Sequence, residues 1–385
     1  MFDRILFNKI MANRRNVLLL GPRQVGKSTL LSKLNPDLTL NLASPQTFRE
    51  YLTQPERLEY ELTPKGSPIK TVFIDEVQKV PALLDTIQTL VDAQPTRWRF
   101  FLSGSSARKL RRGHANLLPG RIHRYDLSPL VAKELGAAFN LNRVLAHGTL
   151  PGIYAEQEAG LRAQDLRGYV DVYLREEIQA EALVRNLGGY ARLLDLVAAS
   201  SGRILNVNAL CREAGIGYET TRRYLEVLED TLLVYRIPAW SGTTRSSLIA
   251  HPKYYFFDIG VRNALLRRPL DRCLDDERGL LLEHLLAQEF TARRGMLWPE
   301  MACYHYRTRH GAEIDFVLEI GREIWAIEVK SAQRVSRSDL SAFSSLTDRT
   351  KRVTRKLLIY LGTRRQQMND VEILPLKEFL NELPG

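Results

Sequence analysis

Short apolar runs alternate with helical repeats along the first third of the chain. Val17–Leu20 reads VLLL, Val72–Ile74 reads VFI and Phe100–Leu102 reads FFL. Each run is too short and too uniformly apolar for an amphipathic helix and suits a strand buried on both faces, as in a parallel sheet. From Leu127 to Ser200 the spacing is mainly helical, with a Gly/Pro break at HGTLPG (His147 to Gly152). LRGYVDVYLREEIQAEALVRN, ending at Asn186, reads as one long helix. ILNVNALCREAGIGYETTRRYLEVLEDTLLVYRIPAW then reads helix, Gly-containing turn, second helix from Tyr218, and strand, with KYYFFDIG as a partner strand across a polar loop. Farther on, GLLLEHLLAQEF (Gly279 to Phe290) is an amphipathic helix and YHYRTRHG a strand. EIDFVLEIGREIWAIEVKS (Glu313 to Ser331) alternates with period two around a Gly-Arg pair, as a hairpin does. The pattern predicts an α/β chain in four segments, residues 1–126, 127–190, 191–260 and 261–385.

Composition narrows the setting. No apolar run is long enough to span a bilayer, and the start, MFDRILFNKIMANRRN, lacks the apolar stretch of a secretory signal. Cys211, Cys273 and Cys303 are far apart and match no metal spacing, so a reducing cytoplasm is the expected location and no membrane partner is expected. The formal charge of +11 is uneven: Ala93–Tyr125 holds eight Lys or Arg and no acid, Arg349–Arg365 seven and none. Such blocks suit a polyanion, above all DNA; the alternative is a solvated face that aids solubility.

NVLLLGPRQVGKSTLLSKL (Asn16 to Leu34) places G-x-x-x-x-G-K-[ST] between a strand and a helix, the context a P-loop requires. Glycines let backbone N–H groups turn onto phosphate oxygens, and the helix N-terminus adds partial positive charge. Gly21, Gln24, Val25, Gly26, Lys27, Ser28 and Thr29 are the expected nucleotide contacts, with Lys27 at the β- and γ-phosphates of ATP and Ser28 on Mg²⁺. Asp75 ends the VFI strand, where open α/β sheets bind ligands, and suits the Mg²⁺ shell. Glu76 follows at once and suits activation of water, which a hydrolase needs and a small-molecule kinase does not. Ser103, at the polar end of WRFFLSGSS, would lie beside the γ-phosphate if its strand sits between the other two. Arg111, Arg112 and Arg121 are candidates for an arginine that reaches a neighbour's nucleotide.

GPRQVGKST, VFIDEVQKVP, FLSGSS, LLPGRIHRYDLSPL, GTLPGIY and YVDVYLREEI occur in that order. Together they resemble prokaryotic AAA-superfamily ATPases with a C-terminal domain of unknown function, over nearly the whole chain. The resemblance implies an AAA-type ATPase core over 1–126, a helical lid over 127–190, and an oligomer-forming, ring-capable assembly. LLPGR resembles the family's Arg-containing motif, which favours Arg121 as the trans arginine.

The layout of residues 191–260 is that of a winged helix-turn-helix. Thr220, Thr221, Arg222 and Arg223 open its second helix, where recognition helices meet a groove or phosphates. The alternative is a small domain that packs against the lid or another subunit.

If Gly321-Arg322 forms a two-residue type II′ turn, facing residues have numbers summing to 643. Ile314, Phe316 and Leu318 then face Val329, Ile327 and Trp325, while Glu313 meets Lys330 and Asp315 meets Glu328. Two carboxylates roughly 5 Å apart repel, and a divalent cation offsets that best. Asp, then Glu-x-Lys, with an acid on a preceding helix resembles the PD-(D/E)xK nuclease core. That resemblance implies Glu283, Asp315 and Glu328 as ligands of a second Mg²⁺ or Mn²⁺, with Lys330 as the catalytic lysine. The alternative is a solvated strand face with a Glu313–Lys330 pair, on a nuclease-like fold used only to bind. The expected function is ATP hydrolysis coupled to action on DNA; an ATP-gated nuclease and an ATP-dependent switch that binds protein are the alternatives.

Overall fold

The computed structural model describes residues 2–384 except 65, 106–117, 175–185, 241–250, 309–310, 348–349 and 351. The chain divides into two compact units, residues 1–129 with 227–233, and residues 130–226 with 234–385. The second unit therefore takes in nearly all of the three segments that the sequence pattern separates.

The first unit is a five-stranded parallel sheet in the order β2-β3-β4-β1-β5. The strands are β1 (Asn16–Leu20), β2 (Leu38–Asn41), β3 (Thr71–Asp75), β4 (Arg99–Gly104) and β5 (Ile122–Asp126). Helices α1 (Ile5–Ala12), α2 (Lys27–Ser32), α3 (Pro45–Thr53), α4 (Arg57–Leu62) and α5 (Leu83–Ala93) accompany them. β1 is buried along its whole length, as its unbroken apolar run requires. β4 lies between β1 and β3, with Leu19 beside Ser103 and Ile74 beside Leu102. The carboxyl ends of the P-loop strand, the Asp75 strand and the Ser103 strand are thereby adjacent. Gly21 follows β1 because nothing larger fits: a Cβ there would lie 2.3 Å from the Leu127 carbonyl oxygen.

The second unit begins with helices α6 (Ala132–Leu135), α7 (Leu141–His147), α8 (Pro151–Ala155) and α9 (Ala159–Gly168). The expected long helix is different in form. α9 passes into a π-helical turn at Tyr169–Leu174, 175–185 lie outside the described residues, and Asn186 caps the next helix by accepting from the Gly189 N–H at 2.8 Å. That helix is α10 (Leu187–Ala199), followed by α11 (Val207–Ala214), a turn at Gly215 with φ +67°, and α12 (Tyr218–Asp230). β6 (Val234–Ile237) and β7 (Lys253–Phe256) pair antiparallel. Helix, turn, helix and two strands thus follow the predicted order; the loop expected as a wing falls mostly in 241–250, outside the described residues.

Next come α13 (Ile259–Leu265) and α14 (Arg278–Met296), then a six-stranded mixed sheet. Its order is β12-β13-β11-β10-β9-β8, with β8 Ala302–Arg307, β9 Glu313–Ile320, β10 Glu323–Lys330, β11 Arg355–Tyr360, β12 Gln366–Met368 and β13 Val371–Pro375. α15 (Ser341–Thr347) and α16 (Leu376–Glu382) complete the unit. The β9–β10 register is the predicted one: Leu318 pairs with Trp325 and Phe316 with Ile327. Gly321 has φ +61° and Arg322 does not share it, as a type II′ turn demands. Phe316 packs on Phe290 of α14, while Val317 and Ala326 join Phe343 of α15 and Leu340, just before it, in one cluster. Both faces of the hairpin are therefore covered, so its polar residues are not a solvated strip.

α13 is fastened by a buried carboxylate. Asp258, fully buried, caps it by accepting from Val261 N–H at 3.1 Å and also accepts from Thr149 N–H at 2.7 Å, in the HGTLPG break. Gly148 and Gly260 are required by this closeness, since a Cβ on either would lie 2.0 Å from an Asp258 or His147 oxygen. Burial raises the Asp258 pKa from 3.8 to about 6, against the downward pull of the three backbone N–H groups around it. A raised carboxyl pKa means the folded state holds the proton more tightly, so this group's contribution falls as pH rises through the interval from 3.8 to about 6. Asp258→Asn removes the titration. The stability of the native protein minus that of the variant should fall by on the order of 3 kcal/mol between pH 3.5 and 7, measured by urea unfolding. A flat difference would show that the folded carboxyl keeps its ordinary pKa.

Candidate functional site

The loop after β1 turns inward through two left-handed residues, Gln24 (φ +64°) and Gly26 (φ +93°). Successive N–H groups in such a turn make an anion-binding concavity at the start of α2. Val25 is buried beneath it, while Gln24 and Thr29 are exposed and Ser28 is half-buried. Lys27 is 5% exposed, and its Nζ donates to the carbonyls of Gly21 and Pro22, each at 2.9 Å.

Across the sheet ends, Ser103 Oγ donates to Asp75 Oδ1 and accepts from the Glu76 N–H at 3.2 Å. Ser103 is wholly buried, and its hydroxyl is engaged with the two acids rather than standing apart from them. Glu76 itself is left-handed (φ +60°, ψ +43°), a conformation costly for a non-glycine residue and concentrated at functional sites. Its Oε2 accepts from Gln78 Nε2, which also donates to Ser105 Oγ at 3.1 Å. Ser105 belongs to the polar strand end, Ser103 to Ser105, that the sequence places beside the γ-phosphate, whereas Gln78 is an addition from the structure. A polar residue two positions after the acidic pair, in DEVQ, is the signal for it.

Arg121 makes a bidentate pair with Asp92, its NH2 lying 3.0 Å from Oδ2, and NH1 donates to Pro119 O at 3.1 Å. That pair raises its pKa. Arg111 and Arg112 lie outside the described residues.

On α12, Arg222 and Arg223 are exposed and Thr220 is half-buried. Thr221 is not presented outward: it is fully buried, its Oγ1 donating to Gly217 O at 3.1 Å and accepting from Cys211 Sγ at 3.2 Å. The second basic run is partly neutralised by acids distant in sequence. Arg355 and Arg365 both bind Glu372 and Glu382, and Lys356 binds Asp370.

The hairpin acids meet in a cleft of about 980 Å³ with a residue that the motif did not include. Lys253, the first residue of β7, is 2% exposed, and its Nζ lies 2.8 Å from Glu283 Oε1, 2.8 Å from Glu313 Oε1 and 4.0 Å from Asp315 Oδ1. Tyr255 OH also donates to Glu283 Oε1. Burial pulls the Lys253 pKa down, but Glu283, Asp315 and Glu313 more than offset this and raise it. It is an ammonium ion. Asp315 Oδ2 accepts from the Val329 N–H at 2.9 Å; burial, then Glu283 and Glu328, push its pKa well up. Glu328 is also raised, by burial, despite the Lys330 Nζ at 2.9 Å. The expected Glu313–Lys330 pair is not formed: Glu313 turns to Lys253 and to Arg307, 3.2 Å away, and Lys330 to Glu328. The structure thus brings Glu283, Asp315 and Glu328 into one cleft. It also places a cationic side chain against two of them, where a divalent cation would have to sit. The donors fit a metal only if Lys253 is displaced, and among the described residues no group of three His, Cys, Asp or Glu has the geometry to hold one. No helix among the described residues is long and apolar enough to cross a membrane.

Residues 13–136 match a family described as AAA domain, residues 138–272 a domain of unknown function (DUF8612), and residues 278–379 another (DUF4143). Proteins of Mycobacterium tuberculosis and Mycobacterium bovis, each named only as uncharacterised, are 26% identical over 366 residues, covering 93% of this chain and 79% of theirs. An uncharacterised protein of Methanocaldococcus jannaschii is 24% identical over 286 residues, covering 68% of this chain and 61% of its own. Among solved structures, a Signal Transduction ATPase with Numerous Domains from Pyrococcus horikoshii, with a tetratricopeptide repeat sensor, aligns at 12% identity and TM-score 0.24, over 76% of this chain and 46% of that one. A Vibrio cholerae protein aligns at 11% identity and TM-score 0.22, over 96% of each chain. The match over 13–136 and the loop geometry agree on an AAA-superfamily P-loop ATPase domain. The lysine cluster draws Lys253 from one of the other matched segments and its three carboxylates from the next.

Replacing Lys253 by Met would leave buried carboxylates uncompensated, at a cost of about 3–5 kcal/mol. In Lys253→Met protein without nucleotide, millimolar Mn²⁺ should raise the melting temperature, whereas the native protein should not respond. An equal Mn²⁺ response in the native protein, abolished by Asp315→Asn, would show that a metal binds alongside the lysine.

Proposed function

We propose that the chain hydrolyses ATP at the loop of residues 21–29 and uses that cycle to act on DNA. The observation that supports this reading best is the Asp75–Ser103–Glu76–Gln78 network beside a loop with two left-handed turns. Ser28 and Asp75 offer the hard oxygen donors that Mg²⁺ prefers, and the ion would draw charge from the β- and γ-phosphates. Lys27, which donates to loop carbonyls, would exchange them for phosphate oxygens. Glu76, held by Gln78 and by its own backbone bond to Ser103, would orient and deprotonate water; the strained backbone fixes its position. Arg121 would leave Asp92 to reach a neighbouring subunit's nucleotide, which makes a homo-oligomer part of the proposal.

DNA binding rests on the +11 charge and on the exposed Arg222 and Arg223 near the start of α12, with Thr220 beside them. For the C-terminal cleft we favour the binding alternative over cleavage, because Lys253 pairs with Glu283 and Glu313 and Lys330 is held by Glu328.

Glu76→Gln should bind ATP about as tightly as the native protein while its turnover falls on the order of a hundredfold, read as phosphate release. No turnover in the native protein would end the ATPase reading. Duplex, forked or four-way-junction DNA should stimulate turnover, and Arg222→Ala/Arg223→Ala should weaken DNA binding and lower its salt slope by about 2. Absence of both binding and stimulation would instead favour a nucleotide switch for protein partners.

A further inference from the structure

A second polar cavity, of about 390 Å³, lies within the second unit between α7, α9 and the segment leading into α14. Arg143, Arg162, Arg272, Arg278, Asp271 and His147 line it. We propose that it binds a small phosphorylated ligand through a diphosphate group.

Charge is the first argument. Four arginines line the cavity with one acid, Asp271. The acid nearest in sequence to Arg278, Glu277, is already taken by Arg262 and Arg268. Arg162 feels the shortage: its pKa is lowered by burial and then by the charge on Arg143. An anion relieves both effects.

Unmet hydrogen bonds are the second. His147 is 3% exposed, and its ring meets the Arg143 backbone. The Nε atoms of Arg143 and Arg162 are buried and unpartnered, and Arg162 is only 8% exposed. Native proteins leave few such groups, which marks this corner of the fold as short of acceptors. His147 is neutral at pH 7, since burial and then the Arg162 charge bring its pKa to about 4. It therefore adds no fifth cation to the cavity.

Rigidity is the third. Arg162 NH1 donates to the carbonyls of Glu156 at 2.9 Å and Gln157 at 2.7 Å, and Arg143 NH2 donates to those of Tyr154 and Glu156. The Arg143 guanidinium also stacks on the Tyr154 ring at 4.5 Å. Both inner guanidiniums are held in place before any ligand arrives, which lowers the entropy cost of binding. Arg272 is exposed, and Arg278 is tied only to Asn142 Oδ1 at 3.1 Å, so both are free to close on a ligand. Guanidinium forks match phosphate oxygens in geometry. The volume is at the small end of organic ligand sites, large for one phosphate and small for a nucleic-acid strand with its bases.

The test uses the full chain carrying Lys27→Ala, so that the first-unit loop does not take up the probe. Inorganic pyrophosphate and ADP are titrated calorimetrically at low salt. We expect saturable binding of at least one of them, weakened about tenfold or more by Arg272→Ala/Arg278→Ala, whose side chains support little of the fold. Asp271→Asn should tighten binding about threefold by removing the one acid. ADP binding tighter than pyrophosphate would identify a nucleotide as the source of the diphosphate; the reverse would identify the free anion. Absence of binding by both probes overturns the proposal. So does binding that the arginine pair does not change, or capture of a single-stranded oligonucleotide by the same residues with neither small probe bound.

Discussion

A buried ammonium ion survives only where carboxylates surround it, and the second unit is organised around that demand. Lys253 starts β7, Glu283 is on α14, and Glu313 and Asp315 are on β9. Removing the lysine would leave like charges in a covered cleft; removing the acids would leave a bare cation. The small two-stranded sheet, the long helix and the six-stranded sheet therefore share one electrostatic centre. A few residues farther on, Asp258 extends the arrangement by joining α13 to the turn at Gly148–Thr149. These contacts hold the β6–β7 pair, α13, α14 and the β9–β10 hairpin in one unit.

The first unit works by a different principle. Its polar residues gather where three parallel strands end together, and each has a defined partner. Ser103 binds both Asp75 and the Glu76 backbone, while Gln78 binds Glu76 and Ser105. Such a network needs no rearrangement to hold an acid in position, which suits electrostatic catalysis. Arg121 is not part of this network; it pairs with Asp92.

The two basic runs show why linear charge is a weak guide to surface charge. Arg355, Lys356 and Arg365 are paired by Asp370, Glu372 and Glu382, which come after the run in sequence but beside it in space. The arginines around His147 are spread over more than a hundred residues and form no run at all, yet they share a cavity whose positive charge is largely unmatched.

Local pattern alone determined the P-loop, the strand ending in Asp75, the helix-turn-helix order and the β9–β10 register. Each of these depends on residues close in sequence: glycine spacing, an unbroken apolar run, or period-two alternation across a two-residue turn. Tertiary structure decided the rest. That Thr221 faces inward follows from which side of α12 is covered, and helical period does not choose that side for short polar residues. That Lys253 meets Glu283 and Glu313 follows from the packing of β7 on α14 and β9, thirty and sixty residues away in the chain. The hairpin motif showed a pair of opposed carboxylates in need of a cation. Only the fold could show that the protein provides one from the Lys253 side chain, because charge compensation in an interior is a property of distance in space.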